Sequence, residues 1–166
     1  ENRRRRGTRG EFELLDTGVF DDDRYFDVFV EYAKAGPEDL AVKITAHNRG
    51  PDPAPLHLLP HLWFRNTWAW GESANAEPMI RGGRSDAEVL TLVADDRTGA
   101  PIAGLPFLYR LGSRHLYLEP GGKLLFTGNE TNAPRVFGPW ARSRRPHVKD
   151  AFHRHVVQGE DTLNPE

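Results

Sequence analysis

The 166-residue chain has no cysteine and a single methionine, Met79. Without thiols there is no disulfide, no thiolate metal site and no cysteine nucleophile. The absence also fits a reducing compartment, and a cytoplasmic location is expected. No apolar run approaches the roughly 18 residues a membrane helix needs, and no apolar signal-peptide core stands near the start. An excess of charge of one sign is missing too. Lys and Arg number 22 against 24 Asp and Glu, a formal net charge of −2, which removes the net electrostatic case for a nucleic-acid or anionic-membrane partner. G-x-S-x-G elbows, Gly-rich phosphate loops and long helical periodicity are all absent. The sequence opens Glu1-Asn2-Arg3 without an initiator and closes Leu163-Asn164-Pro165-Glu166 without a helix stop signal. A piece of a longer polypeptide is expected.

What the chain does contain is turn chemistry and β-periodicity. With 16 Gly and 13 Pro, it exceeds the usual ~12% for these two residues, which favours many turns and short strands. From Tyr25 to Tyr32 the residues Phe26, Val28, Val30 and Tyr32 share one face. Asp27 and Glu31 share the other, with Phe29 between them. Ala35-Gly36-Pro37-Glu38-Asp39 is a turn cluster. Leu40, Val42, Ile44 and Ala46 then alternate against Ala41, Lys43, Thr45 and His47. Two strands joined by a short loop, an antiparallel pair, are expected. Asn48 to Pro53 breaks the second strand.

Further short strands are expected at Glu11–Asp16, Val89–Ala94, Phe107–Leu111, His115–Glu119 and Leu124–Thr127. The apolar stretch Leu56–Trp70 is interrupted by Pro60, which cannot donate to a ladder, and 71–88 reads as a polar loop. Asn132 is placed to cap a short helix through Phe137 with Pro134 in its first turn. Asp150 is placed to cap another through Val157. Short strands separated by turn signals, with one or two short helices, argue for an all-β antiparallel sandwich forming one domain over 1–166.

Several clusters could carry chemistry. Trp63, Phe64, Trp68 and Trp70 lie within eight residues, with Arg65 and Asn66 among them. Aromatic faces for C–H stacking beside polar groups for hydroxyls are what a sugar site needs. A core or inter-domain face uses the same tryptophans. Asp21-Asp22-Asp23 with Asp27 offers carboxylate oxygens for a cation or an acid–base group, but lacks calcium-loop spacing, and a solvated loop is the plainer reading. His57 and His61 are separated by Pro60. His153 and His155 sit two apart in a helix and diverge. No metal and no cofactor are therefore expected. Arg142, Arg144 and Arg145 with His147, and Arg3 to Arg6 at the start, form small basic patches that suit phosphates or a solvated surface. Asn129-Glu130-Thr131 matches a glycosylation sequon, a pattern short enough to arise by chance.

Four blocks carry a resemblance: Leu15 to Val28, Pro55 to Trp68, Gly128 to Asn132, and Lys149 to His153. In this order they resemble bacterial proteins related to glycoside hydrolase family 63, the mannosyl-oligosaccharide glucosidase-like group, over roughly residues 11–166. The resemblance implies an N-terminal β-sandwich of the supersandwich type. In the group this sandwich precedes an (α/α)6 toroid that holds the acid and base of inverting hydrolysis. Inversion needs two carboxyls about 6.5–9.5 Å apart with a water between. The chain has neither length nor helical periodicity for a toroid, so it resembles the sandwich alone, incomplete at both ends. No catalytic residue is carried over. The expected partner is the missing toroid of the same polypeptide, with an oligosaccharide as a further ligand. Trp63, Arg65, Asn66, Trp68, Trp70, Asp21, Asp22 and Asp23 are expected at the cleft or the domain interface. An independent carbohydrate-binding module built on Trp63–Trp70, and a polyanion-binding domain built on the Arg patches, are the alternatives.

Overall fold

The computed structural model describes residues 10–66, 68, 77–84, 86–97, 107 and 110–164. The chain divides into two compact units, Glu1–Pro60 and His61–Glu166. The described residues form mostly strands in antiparallel sheets, with few short helices.

The first unit begins with a 3-10 helix, Leu15–Thr17, where a strand over Glu11–Asp16 was expected. The local side chains explain the difference. The Asp16 carboxylate accepts from Glu13 N at 2.8 Å, and the Thr17 hydroxyl donates to Leu14 O while accepting from Val19 N. Such short-range bonds offer the backbone an alternative to a ladder. Two long strands follow, β1 (Phe26–Gly36) and β2 (Asp39–Asn48). They pair antiparallel with Val28 opposite Ala46, Val30 opposite Ile44 and Tyr32 opposite Val42. Paired residues share a face, so one face of the ribbon is apolar from Phe26 to Ala46. The other carries the Glu31–Lys43 ion pair at 3.8 Å and the edge contact of Phe29 with His47. The β2 exit is fixed by polar links. Arg49 donates to Asp27, Arg24 to Asp52, and Asn48 Nδ2 to Asp52 O. No described residue of this unit is buried.

The second unit holds a three-stranded sheet in the order β3 (Met79–Gly82), β4 (Leu90–Asp95), β5 (Ser113–Leu118). Strands were expected where β4 and β5 lie. β3 falls in the segment read as a polar loop, because four residues are too few for a period-two signal. Central β4 buries Thr91 and Ala94. Within Leu124–Thr127 only an isolated bridge forms, Phe126 with Asn164. Residues 108–109 of the strand expected at Phe107–Leu111 lie outside the described residues. Helix α1 (Ala133–Phe137) is capped by Asn132, whose side chain accepts from Arg135 N, with Pro134 in the first turn. Helix α2 (Ala151–Gln158) starts at Asp150, but the Asp150 side chain makes no cap bond. The buried apolar residues among those described are Trp68, Ala94, Val148 and Ala151. No helix among the described residues is long and apolar enough to cross a membrane.

Two local features of this sheet yield tests. Gly83 donates to Thr91 O at 2.8 Å, and a Cβ there would lie 2.8 Å from Thr91 Cγ2 and 3.1 Å from Val93 Cγ2. Gly83→Ala is expected to destabilise the unit by about 1–3 kcal/mol in a denaturant or thermal melt, because the central strand must shift to admit the methyl. At the end of β4, hydrogen bonds from the Arg97 side chain, then from its backbone N–H, lower the Asp95 carboxyl to about 2. A depressed carboxyl contributes stability above its unfolded value of about 3.9, and that contribution is lost as pH falls towards about 2. An NMR titration of the Asp95 carboxyl carbon is expected to find this low midpoint. Arg97→Gln is expected to move it back towards the ordinary aspartate range.

Candidate functional site

Three loop segments of the second unit converge: 61–68, 126–132 and 147–154. The backbones of the second and third meet in a short ladder. Gly128 N donates to His147 O at 2.7 Å, and Lys149 N donates to Glu130 O at 3.0 Å. Side-chain amides tie in the first segment reciprocally. Asn66 Nδ2 donates to Asn129 O at 2.5 Å, and Asn129 Nδ2 donates to Phe64 O at 2.7 Å. An extended loop cannot satisfy its own backbone, so these amides stand in for a strand partner. His61 packs on Phe152, ring centroids 5.2 Å apart. Three of the four blocks that carry the family resemblance thus meet in one place.

The polar residues are organised around α1 and the start of α2. Asn132 both caps α1 and donates to the Asp150 carboxylate at 3.1 and 3.2 Å, while Arg135 Nη1 reaches the same carboxylate at 3.2 Å. That commitment is why Asp150 does not cap α2. The Ser143 hydroxyl accepts from Ala133 N and donates to Thr131 O, both at 3.1 Å, and so fastens the 138–148 loop to the head of α1. The tail is strapped down by Thr162, which donates to Ala151 O and accepts from His147 Nδ1. Acids and arginines alternate: Glu130 with Arg144 at 3.9 Å, Arg145 with Glu77 at 3.2 Å, Arg154 with Glu160 at 3.3 Å. Glu130 is buried, and its Oε1 accepts no hydrogen bond among the described residues. The same holds for Asn66 Oδ1, while Trp68 Nε1 and Arg154 Nε find no acceptor there.

The expected site residues divide. Asn66 is half-buried in the junction. Trp68 is buried at 6% exposure, whereas Trp63 is 68% exposed. Arg65 is exposed. Trp70 lies outside the described residues. Asp21, Asp22 and Asp23 are exposed in the first unit, where Asp21 N and Asp23 N bond Gly18 O and Phe20 O and Asp23 takes a left-handed φ of 53°. Among the described residues no group of three or more His, Asp or Glu side chains is disposed to hold a metal ion. Reading the sequence missed Asn129, Asn132, Ser143 and Asp150 as organisers. Asn129 attracted notice as a sequon and within the Gly128–Asn132 block, not as a partner of Phe64 O, to which its amide nitrogen donates.

No family model matches the chain, and no solved structure matches it. It is 32% identical over 182 aligned positions to the uncharacterized protein YMR196W of Saccharomyces cerevisiae, a match covering 96% of this chain. The chain spans 17% of the length of that relative.

The reciprocal amide pair gives a test. Asn66→Ala and Asn129→Ala are each expected to lower stability by about 1–3 kcal/mol, since each leaves a half-buried backbone carbonyl without its donor. The double substitution is expected to cost less than the sum of the two, by about 1 kcal/mol, in denaturant titrations compared as a double-mutant cycle.

Proposed function

We propose that this chain is a non-catalytic N-terminal β-sandwich domain of an inverting, α-glucosidase-like glycoside hydrolase. Its role on this reading is to pack on the catalytic toroid of the same polypeptide and to wall one side of the cleft. The class of enzyme rests on the resemblance of the four sequence blocks. The supporting role rests chiefly on one observation, the apolar face of the β1–β2 ribbon. Val28, Val30, Tyr32, Leu40 and Val42 on that face are 46–69% exposed. A two-stranded ribbon is marginal in water unless its apolar face is covered. A relative about six times as long, of which the chain spans 17%, supports further polypeptide as the cover.

The carboxylates of the junction favour the same reading. Asp150, Glu77, Glu130 and Glu160 each face an arginine. An inverting pair instead sets two carboxyls across a water-sized gap. The carbohydrate-binding alternative keeps one specific support, the exposed indole of Trp63. Buried Trp68 is a poor stacking surface, and its replacement would disturb the fold rather than report on sugar.

The parent polypeptide is expected to hydrolyse an aryl α-glucoside with inversion, followed by polarimetry, while the 166-residue chain releases no aglycone. Turnover by the chain alone that survives repurification overturns the proposal. Titration of gluco- and manno-oligosaccharides, followed by tryptophan fluorescence, is expected to give no saturable change. Saturation that disappears in Trp63→Ala would establish the binding-module alternative instead.

A further inference from the structure

We propose that the cleft between the 138–148 loop and α2 binds a compact oxyanion, the phosphate or carboxylate group of a small ligand, through Arg142, Arg145 and Arg154. The cleft has a volume of about 490 Å³ and is lined by these three arginines and no acidic residue. That size suits a small organic molecule. The remaining lining sets the polar side chains of Asn132 and Ser143 beside Pro134, Pro139 and Val148, so the fitting ligand is an oxyanion carried on a compact, polar body.

Charge accounting singles out the anchor. Arg135, Arg144, Arg145 and Arg154 each have an acidic partner within 4 Å in Asp150, Glu130, Glu77 and Glu160. Arg142 makes no ion pair among the described residues and is the surplus cation of the loop. The two paired arginines of the lining retain capacity. A guanidinium offers five N–H donors, and the ion pairs engage Nη2 of Arg145 and Nη1 of Arg154. Arg154 Nε is shielded from solvent and has no acceptor among the described residues. Guanidinium groups recognise oxyanions by paired, charge-assisted bonds, and three of them belong to the lining of this one cleft. The loop that presents them is held in place, because Ser143, between Arg142 and Arg144, is bonded to Ala133 N and Thr131 O. The ion pairs with Glu77 and Glu160 further limit how far two of the three side chains can swing.

A reporter is built in. Trp140 lies between two lining residues, Pro139 and Ala141, and is 80% exposed. Its ring lies on Gly138, whose φ of 106° and lack of a Cβ permit the approach. Inorganic phosphate and, separately, acetate are to be titrated into the 166-residue chain at constant ionic strength set with chloride. Tryptophan fluorescence and the thermal midpoint are the two readouts. Saturable binding of at least one of these anions is expected, with a rise in the midpoint, and the stronger response names the group. Arg142→Gln is expected to weaken it by about tenfold, the loss of one charge-assisted contact, and Arg142→Lys by less. Lys43→Gln, in the β1–β2 ribbon, is expected to bind as the parent chain does. The proposal is overturned by absence of saturation with both anions, by binding unchanged in Arg142→Gln, or by an equal loss in Lys43→Gln. A steep salt dependence with preference for heparin over phosphate would also overturn it, because that is the signature of an extended polyanion.

Discussion

The second unit depends on an exchange of hydrogen bonds between segments that are neither helix nor strand. Asn66 and Asn129 each use a side-chain amide to satisfy the other segment's backbone. Next to them, 128–130 and 147–149 pair as a two-rung ladder. An apolar core of ordinary size would make such links secondary. Among the described residues few apolar side chains are buried, and Val148 and Ala151, which are, sit directly beside the ladder. The polar links therefore decide which apolar groups come together. Losing one leaves a backbone carbonyl wanting a donor, which costs more than the bond itself contributes.

Helix α2 follows from the same constraint. Asp150 begins the helix without capping it, because its carboxylate is held by Asn132 and Arg135. The residue best suited to stabilise one short helix is used to tie two helices together. Asn132 serves twice, capping α1 with its oxygen and holding Asp150 with its nitrogen. A helix of five residues has little stability of its own, so α1 exists because its cap, its neighbour Ser143 and Asp150 hold it.

What the sequence revealed and what it hid divide along the range of the interactions. The β1–β2 ribbon was legible down to its faces, since period two places Val28, Val30 and Tyr32 together whatever lies beyond. The cap at Asn132 was legible because capping is decided within four residues, whereas Asp150 was legible only as the start of α2, since the capping bond expected from it is not made. The 3-10 turn at Leu15 was not, because Asp16 and Thr17 redirect a backbone whose apolar pattern is too short to resist. Strand β3 was hidden by its brevity. The junction was hidden for a different reason. Nothing in Asn66 or Asn129 taken singly indicates that a residue 63 positions away supplies its partner. Three of the four resemblance blocks fall on the segments that meet at the junction, but a block does not say what its residues bond to.

The two units make opposite demands on their surroundings. In the second, the described polar groups of the junction find partners inside the unit, and what is left over there is small: Arg142 without an acidic partner, and a few buried atoms without hydrogen-bond partners among the described residues. Such residues suit a small ligand or a few ordered waters. In the first, the surplus is an entire apolar face, five of whose side chains remain at least 46% exposed. No small molecule covers a face of that length, and among the described residues β1 and β2 pair only with each other, which leaves edges that invite further strands. Only another layer of polypeptide satisfies both demands, burying the side chains and completing the ladder. On the proposed reading, that requirement ties the ribbon to further polypeptide more firmly than any single residue of the tryptophan segment does. On the proposed reading, the tryptophans describe how the domain meets its neighbour, while the ribbon is the reason it needs one.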